Sequence, residues 1–262
     1  MKNQPIGIFD SGIGGTSIWK EVLKLLPYEH TIYLADSKNA PYGEKTSEEI
    51  ISLSIKNTEL LISKGCKLII VACNTATTNA IDYLRKNYNV PFIGIEPAIK
   101  PAALLSKTGA IGILATKGTL TSELFEKTAD EYTKNILKIE QDGEGLVPLI
   151  EAGKLNSTEL NNLLSTYLKP MLNFNIDHLV LGCTHYPYLI PQINRILGKH
   201  IKIIDSGEAV AKQTKAILEK NNLCSTKTTF NQHQFYTNTT TKVLSKMLLN
   251  VSTKFSVEKL EF

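Results

Sequence analysis

The chain has 262 residues, 42% hydrophobic and 21% charged, which is enough apolar material for one large core or two modest ones and excludes a disordered chain. Its 29 Lys and Arg against 25 Asp and Glu leave a formal charge of +4; basic positions such as Lys24, Lys64, Lys67, Arg85 and Lys86 are scattered without interleaved aromatics, which argues for a solvated surface and against a nucleic-acid partner. No apolar run approaches the roughly 20 residues of a membrane-spanning helix, and residues 1–10 reach a strand pattern with no signal core ahead of it, so the expectation is a cytoplasmic protein with no membrane partner.

Short apolar, β-branched runs that end in polar or glycine-containing turns alternate with segments of helical period. A strand-like run at 5–9 leads into a helix over 18–26, one at 31–35 into a helix over 47–64, and one at 67–72 into a helix over 78–88. Further strand-like runs stand at 91–95, 109–114, 178–181 and 201–204, with helical candidates between them. The chain closes with a strand over 234–238, a helix over 239–250 and an edge strand within 253–262. Such alternation predicts parallel sheets covered on both faces. Pro97 and Pro101 bracket a break after Ile95, and 198–206 reads as a second return. The expected architecture is therefore α/β, with two similar lobes of mostly parallel sheet and the active site in the cleft between them. Residues 1–97 plus 207–262 would form the first lobe and 98–206 the second.

Two of the strand-like runs end alike. Leu68 to Cys73 stops at a thiol before Asn74 and Thr75, and His178 to Cys183 stops at a thiol before Thr184 and His185. In an open α/β sheet this is the carboxyl edge, where ligands bind. The N–H groups and dipole of a following helix would favour a thiolate, so a lowered pKa is expected for Cys73. Thr184 is placed to cap a helix that Pro187 would open. One apolar-flanked cysteine alone reads as packing, and His185 alone reads equally as a turn residue or a proton carrier. The pair reads differently: inverting a stereocentre needs one group to remove a proton from one face and another to deliver a proton to the opposite face, with the roles exchanged in reverse. All four cysteines, Cys66, Cys73, Cys183 and Cys224, are far apart and form no C-x-x-C pair, which argues against zinc and against a disulfide framework, and no metal is expected.

The first strand runs into Asp10-Ser11-Gly12-Ile13-Gly14-Gly15-Thr16-Ser17. A dinucleotide fingerprint fails here, because the third glycine is replaced by Ser17, and no Walker lysine follows. The glycines would let backbone approach a small ligand, with Asp10 and Ser11 as polar contacts; a tight structural turn is the equal alternative.

Together these residues resemble the aspartate/glutamate racemase superfamily, and within it the bacterial glutamate racemases. The resemblance rests on the Asp10 to Gly15 turn, Asp36 followed by Pro41-Tyr42-Gly43, Ala72-Cys73-Asn74-Thr75-Ala76-Thr77, Gly94-Ile95-Glu96-Pro97 and Leu181-Gly182-Cys183-Thr184-His185-Tyr186-Pro187. It runs along nearly the whole chain and implies a homodimer that interconverts L- and D-glutamate without metal, pyridoxal or other cofactor, supplying the D-isomer for peptidoglycan. It makes Cys73 and Cys183 the catalytic pair, with Asp10 near Cys73, and Glu151 and His185 near Cys183. By the same likeness Asp10, Ser11, Pro41, Tyr42, Gly43, Asn74, Thr75, Thr184 and His185 bind substrate, Cys73 acts on D-glutamate and Cys183 on L-glutamate. Thr116 and Thr119 are further candidates for gripping the amino acid, with helix capping as the other reading. The tail beyond Leu223 and Thr78 depart from the usual pattern, with no expected effect on the chemistry. The competing readings are an aspartate racemase, or a relative acting on another small acid, and a non-enzymatic two-lobed binding protein.

Overall fold

The computed structural model describes residues 1–229 and 232–262. Among the described residues ten strands form two sheets: β1 (Ile6–Asp10), β2 (Thr31–Ala35), β3 (Leu68–Val71), β4 (Phe92–Gly94), β5 (Ala110–Ala115), β6 (Leu137–Asp142), β7 (His178–Gly182), β8 (Lys202–Ile204), β9 (His233–Thr237) and β10 (Phe255–Lys259). The first sheet has the order β10-β9-β2-β1-β3-β4 and the second β6-β5-β7-β8. Every pairing is parallel. Strands β1, β2, β3, β5 and β7 are buried at every residue, as strands covered by helices on both faces must be. The fold is therefore α/β with two parallel-sheet lobes, and strands from both ends of the sequence build the first.

Three local features differ from the sequence reading. The helix after β3 begins at Asn74 and runs to Asn87, four residues earlier than its apolar period suggests. Its first turn holds Asn, Thr and Thr, weak helix formers, but Thr77 Oγ1 donates to Val71 O (3.1 Å) and accepts from Ile95 N (3.0 Å), stitching that turn to the ends of β3 and β4. Strand β6 was hidden among helical candidates: its sequence LKIEQD has no buried residue, because it lies at the open edge of the second sheet, where polar side chains are usual. Finally, Pro187 sits in a short 3-10 turn, Tyr186–Leu189, before the α-helix Ile190–Leu197, and the Thr184 hydroxyl caps neither.

One apolar cluster passes from one sheet to the other, including Ile8, Trp19 and Tyr33 from the first lobe and Leu181, Tyr186 and Ile193 from the second. Burial of these side chains holds the two strand-end edges facing each other. The tail is pinned to the first lobe by His233, which hydrogen-bonds Thr31 at 2.8 Å beneath Trp19, and whose pKa burial pushes down to about 4, so that it is neutral in the core. Among the described residues no helix is long and apolar enough to cross a membrane.

Candidate active site

Cys73 follows β3 by two residues and Cys183 follows β7 directly. Both sulfur-bearing residues line one small cavity, of about 10 Å³ for water-sized spheres. The first lobe contributes Ser11, Pro41, Tyr42, Gly43, Asn74 and Thr75 to its wall; the second contributes Thr116, Val147, Thr184 and His185. Two strand ends from separate sheets thus deliver two thiols to one place. An outer, open cavity of about 620 Å³ shares Pro41, Gly43, Thr116 and Val147 with the inner one and forms its approach.

At Cys73 the extended backbone (φ −127°, ψ 122°) turns the side chain onto the following helix, and Ala76 N donates to Sγ at 3.4 Å. The expected lowering of this thiol's pKa does not follow. Burial, joined by the charge of Asp10, outweighs the Ala76 N–H and the Ser11 hydroxyl and pushes the thiol far above its ordinary range, so Cys73 rests protonated. Asp10 is fully buried at the end of β1; its Oδ2 accepts from Gly15 N (2.9 Å) and Gly12 N (3.2 Å), and its Oδ1 from Thr184 Oγ1 (3.1 Å). Burial raises its carboxyl to about 6, against the opposing pull of His185 and these N–H groups. A carboxylate titrating close to neutrality can exchange a proton with a neighbouring thiol.

On the other side, His185 Nδ1 lies 3.7 Å from Cys183 Sγ and its Nε2 lies 2.6 Å from Glu151 Oε1. Burial works against charge on this ring, but its bonds to Cys183 and Glu151 prevail and hold its pKa well above the ordinary histidine value. These bonds favour the protonated ring and place a proton carrier beside the sulfur. Glu151, the last residue of the helix Leu146–Glu151, also accepts from Ile13 N (2.7 Å) and Ser37 Oγ (2.8 Å) of the first lobe.

The remaining predicted residues divide. Asn74 is only 3% exposed, yet neither atom of its side-chain amide has a partner within the protein. Buried amides are almost always bonded, so this one has its full donor and acceptor capacity for a bound molecule. Thr75, Thr116 and Thr119 form a hydroxyl triangle across the lobes, with sides of 2.8, 3.2 and 3.1 Å. Thr116 stands at the N-cap of Lys117–Leu120 but makes no side-chain cap bond; its hydroxyl serves the triangle. Thr119 does not line the inner cavity, being buried behind Thr75 and Thr116. Tyr42 lines the cavity, but its hydroxyl donates to Asp36 Oδ2 (2.5 Å) and accepts from Asn57 Nδ2 (3.1 Å), and burial with the Asp36 charge holds its pKa well above the ordinary value. It shapes the wall, and its hydroxyl is committed to Asp36 and Asn57.

The glycine turn also serves a purpose other than the one expected. A Cβ on Gly12 would overlap the Glu151 carboxylate, and one on Gly14 would overlap the His185 ring. The close approach that these glycines permit is to the side chains serving Cys183.

Several contributing residues carry no signal in the sequence. Val147 is one of a run of apolar residues, and Ser37 is one of many exposed-looking serines. Asn238, in the tail, donates to Asp36 Oδ1 (2.5 Å) and accepts from Lys38 N (2.8 Å), so the tail does reach the cavity wall at one remove, through Asp36 and Tyr42.

Residues 14–214 match the family model described as Asp/Glu/Hydantoin racemase. The chain is 46% identical over 218 residues to the glutamate racemase of Herpetosiphon aurantiacus, covering 83% of this chain and 86% of that protein. It is 47% identical over 224 residues to the glutamate racemase of Clostridium perfringens strain SM101, covering 85% and 86%. The structure of Escherichia coli glutamate racemase in complex with L-glutamate and the activator UDP-MurNAc-Ala superposes with a TM-score of 0.87 at 30% identity, covering 98% of each chain. With two strand-end thiols sharing a cavity and relatives of this similarity along most of its length, the chain belongs to the Asp/Glu/hydantoin racemase family, among its glutamate racemases.

Proposed function

We propose that this racemase interconverts L- and D-glutamate in the inner cavity by a two-base mechanism, using Cys73 and Cys183 on opposite faces of the α-carbon and no cofactor. The observation that carries the reading is that two thiols from different sheets open on one cavity, with His185 Nδ1 3.7 Å from the Cys183 sulfur and the charge of Asp10 acting on Cys73. The names of the relatives, and the L-glutamate bound by the Escherichia coli enzyme, support glutamate as the substrate.

With D-glutamate bound, Asp10 takes the proton of Cys73 and the thiolate removes the α-proton, while Cys183 delivers a proton to the other face and is reprotonated from the His185 imidazolium. With L-glutamate the roles exchange: Cys183 acts as thiolate opposite the imidazolium, and Cys73, resting protonated, is the acid. The carbanion that forms beside a carboxylate is the difficult species. Exclusion of water and the N–H and hydroxyl donors of Ser11, Asn74, Thr75 and Thr184 lower its energy. A cavity of about 10 Å³ is smaller than glutamate, so the walls part to admit it from the outer cavity. The same reading assigns the lobes to residues 1–97 plus 207–262 and 98–206, and describes a cytoplasmic homodimer whose D-glutamate feeds peptidoglycan synthesis.

In deuterium oxide, proton nuclear magnetic resonance should show the α-proton signal of either glutamate enantiomer disappearing with catalytic amounts of protein, and that of aspartate persisting. Loss with aspartate alone would contradict the substrate, and persistence with both would contradict the activity.

A further inference from the structure

The Glu151 carboxylate is held from two sides. Its Oε1 takes the bond from His185, in its own lobe, and a second from Ile13 N of the first lobe; its Oε2 is held by the Ser37 hydroxyl, also of the first lobe. Ser37 opens the 3-10 turn Ser37–Asn39, which follows directly on Asp36, and Asp36 in turn ties Asn39, Tyr42 and Asn238 together. Adjacent residues of one turn therefore hold the substrate loop and the partner of His185. Without Ser37, the carboxylate retains donors on one oxygen only and is free to turn about that end. We propose that Ser37 is a positioning residue that orients Glu151 from across the lobe boundary, so that the His185 relay to Cys183 is complete only when the first lobe is closed on the second. Its kinetic side rests on the two-base reading above; its structural side does not.

The titratable groups facing His185 are Cys183, Glu151 and Asp10. Ser37→Ala leaves all three in place and removes one donor to the carboxylate. Nitrogen-15 resonance titration of the His185 ring in the free protein is the primary test: Ser37→Ala should move its midpoint by at least about half a pH unit, and Ser37→Thr, which keeps the hydroxyl, should restore it. In turnover, loss of a hydrogen bond to a charged group predicts a fall in kcat of about tenfold or more with little change in KM. Because the enantiomers have equal free energy, kcat/KM must fall equally in both directions, so the pH dependence of kcat is the informative readout, and its His185 limb should move with the ring. A ring titration identical in Ser37→Ala and the parent protein would overturn the proposal, as would an activity loss that Ser37→Thr does not rescue. A parent protein inactive on glutamate would sink the two-base reading, and the ring titration would still decide the role of Ser37.

Discussion

Cys73→Ala and Cys183→Ala should each lower glutamate racemisation by about 10³-fold or more, while Cys66→Ala and Cys224→Ala leave it within about twofold of the parent. The magnitude follows from the role: removing a positioned acid or base typically forfeits about 10² to 10⁴ in rate, and here each thiol must act on one face that the other cannot reach. Both sulfurs border the inner cavity, whereas Cys66 and Cys224 do not line it. The stability change should be small, about 1 kcal/mol, since each truncation removes one sulfur next to space that already exists. Circular dichroism at a glutamate band, followed alongside thermal unfolding, separates a chemical loss from a folding loss. Near-normal turnover in either active-site variant would end the two-thiol mechanism.

Gly14→Ala should be nearly as damaging, for a steric reason. The backbone at Gly14 is not in the left-handed region, so alanine meets no conformational penalty there, but its Cβ would overlap the His185 ring. That ring is buried and held at both nitrogens, by Cys183 on one side and Glu151 on the other, so it cannot yield without giving up one of those bonds. Overpacking of this kind costs about 1 to 3 kcal/mol, and displacement of a proton carrier by about 1 Å costs on the order of 10² in rate. Denaturant unfolding and steady-state kinetics on Gly14→Ala should show both losses together. Parental kinetics would mean that the turn has room to move away from His185, and that the close approach is not needed for chemistry.

What could be read from the sequence follows burial. Strands covered on both faces, such as β1, β3 and β7, announce themselves as apolar runs, and their carboxyl ends place Asp10, Cys73 and Cys183 without further information. Strand β6 does not, because an edge strand with a solvated face carries no such run. The two strand-end thiols could be read from the motifs; the structure adds that Glu151 and His185 stand beside Cys183, and that Asp10 acts on Cys73 through its charge while its hydrogen bonds run to Gly12, Gly15 and Thr184. The resting state of Cys73 was not legible, since the dipole of a following helix can be read from sequence but the depth of burial that overrides it cannot. The same holds for Ser37 and Asn238, whose roles depend on contacts 114 and 202 positions away. Thr119 reads from the sequence as a gripping hydroxyl like Thr116; the structure puts it behind the wall, bonded to the Thr75 and Thr116 hydroxyls that line the cavity.

A crystal structure with D-glutamate bound tests the central claim most directly. The α-carbon should lie between the two sulfurs, with Cys73 Sγ and Cys183 Sγ on opposite faces and each within roughly 3.5 Å of it, the separation of a near-attack geometry. Glutamate seated so that only one sulfur reaches the α-carbon, or held solely in the outer cavity, would contradict it.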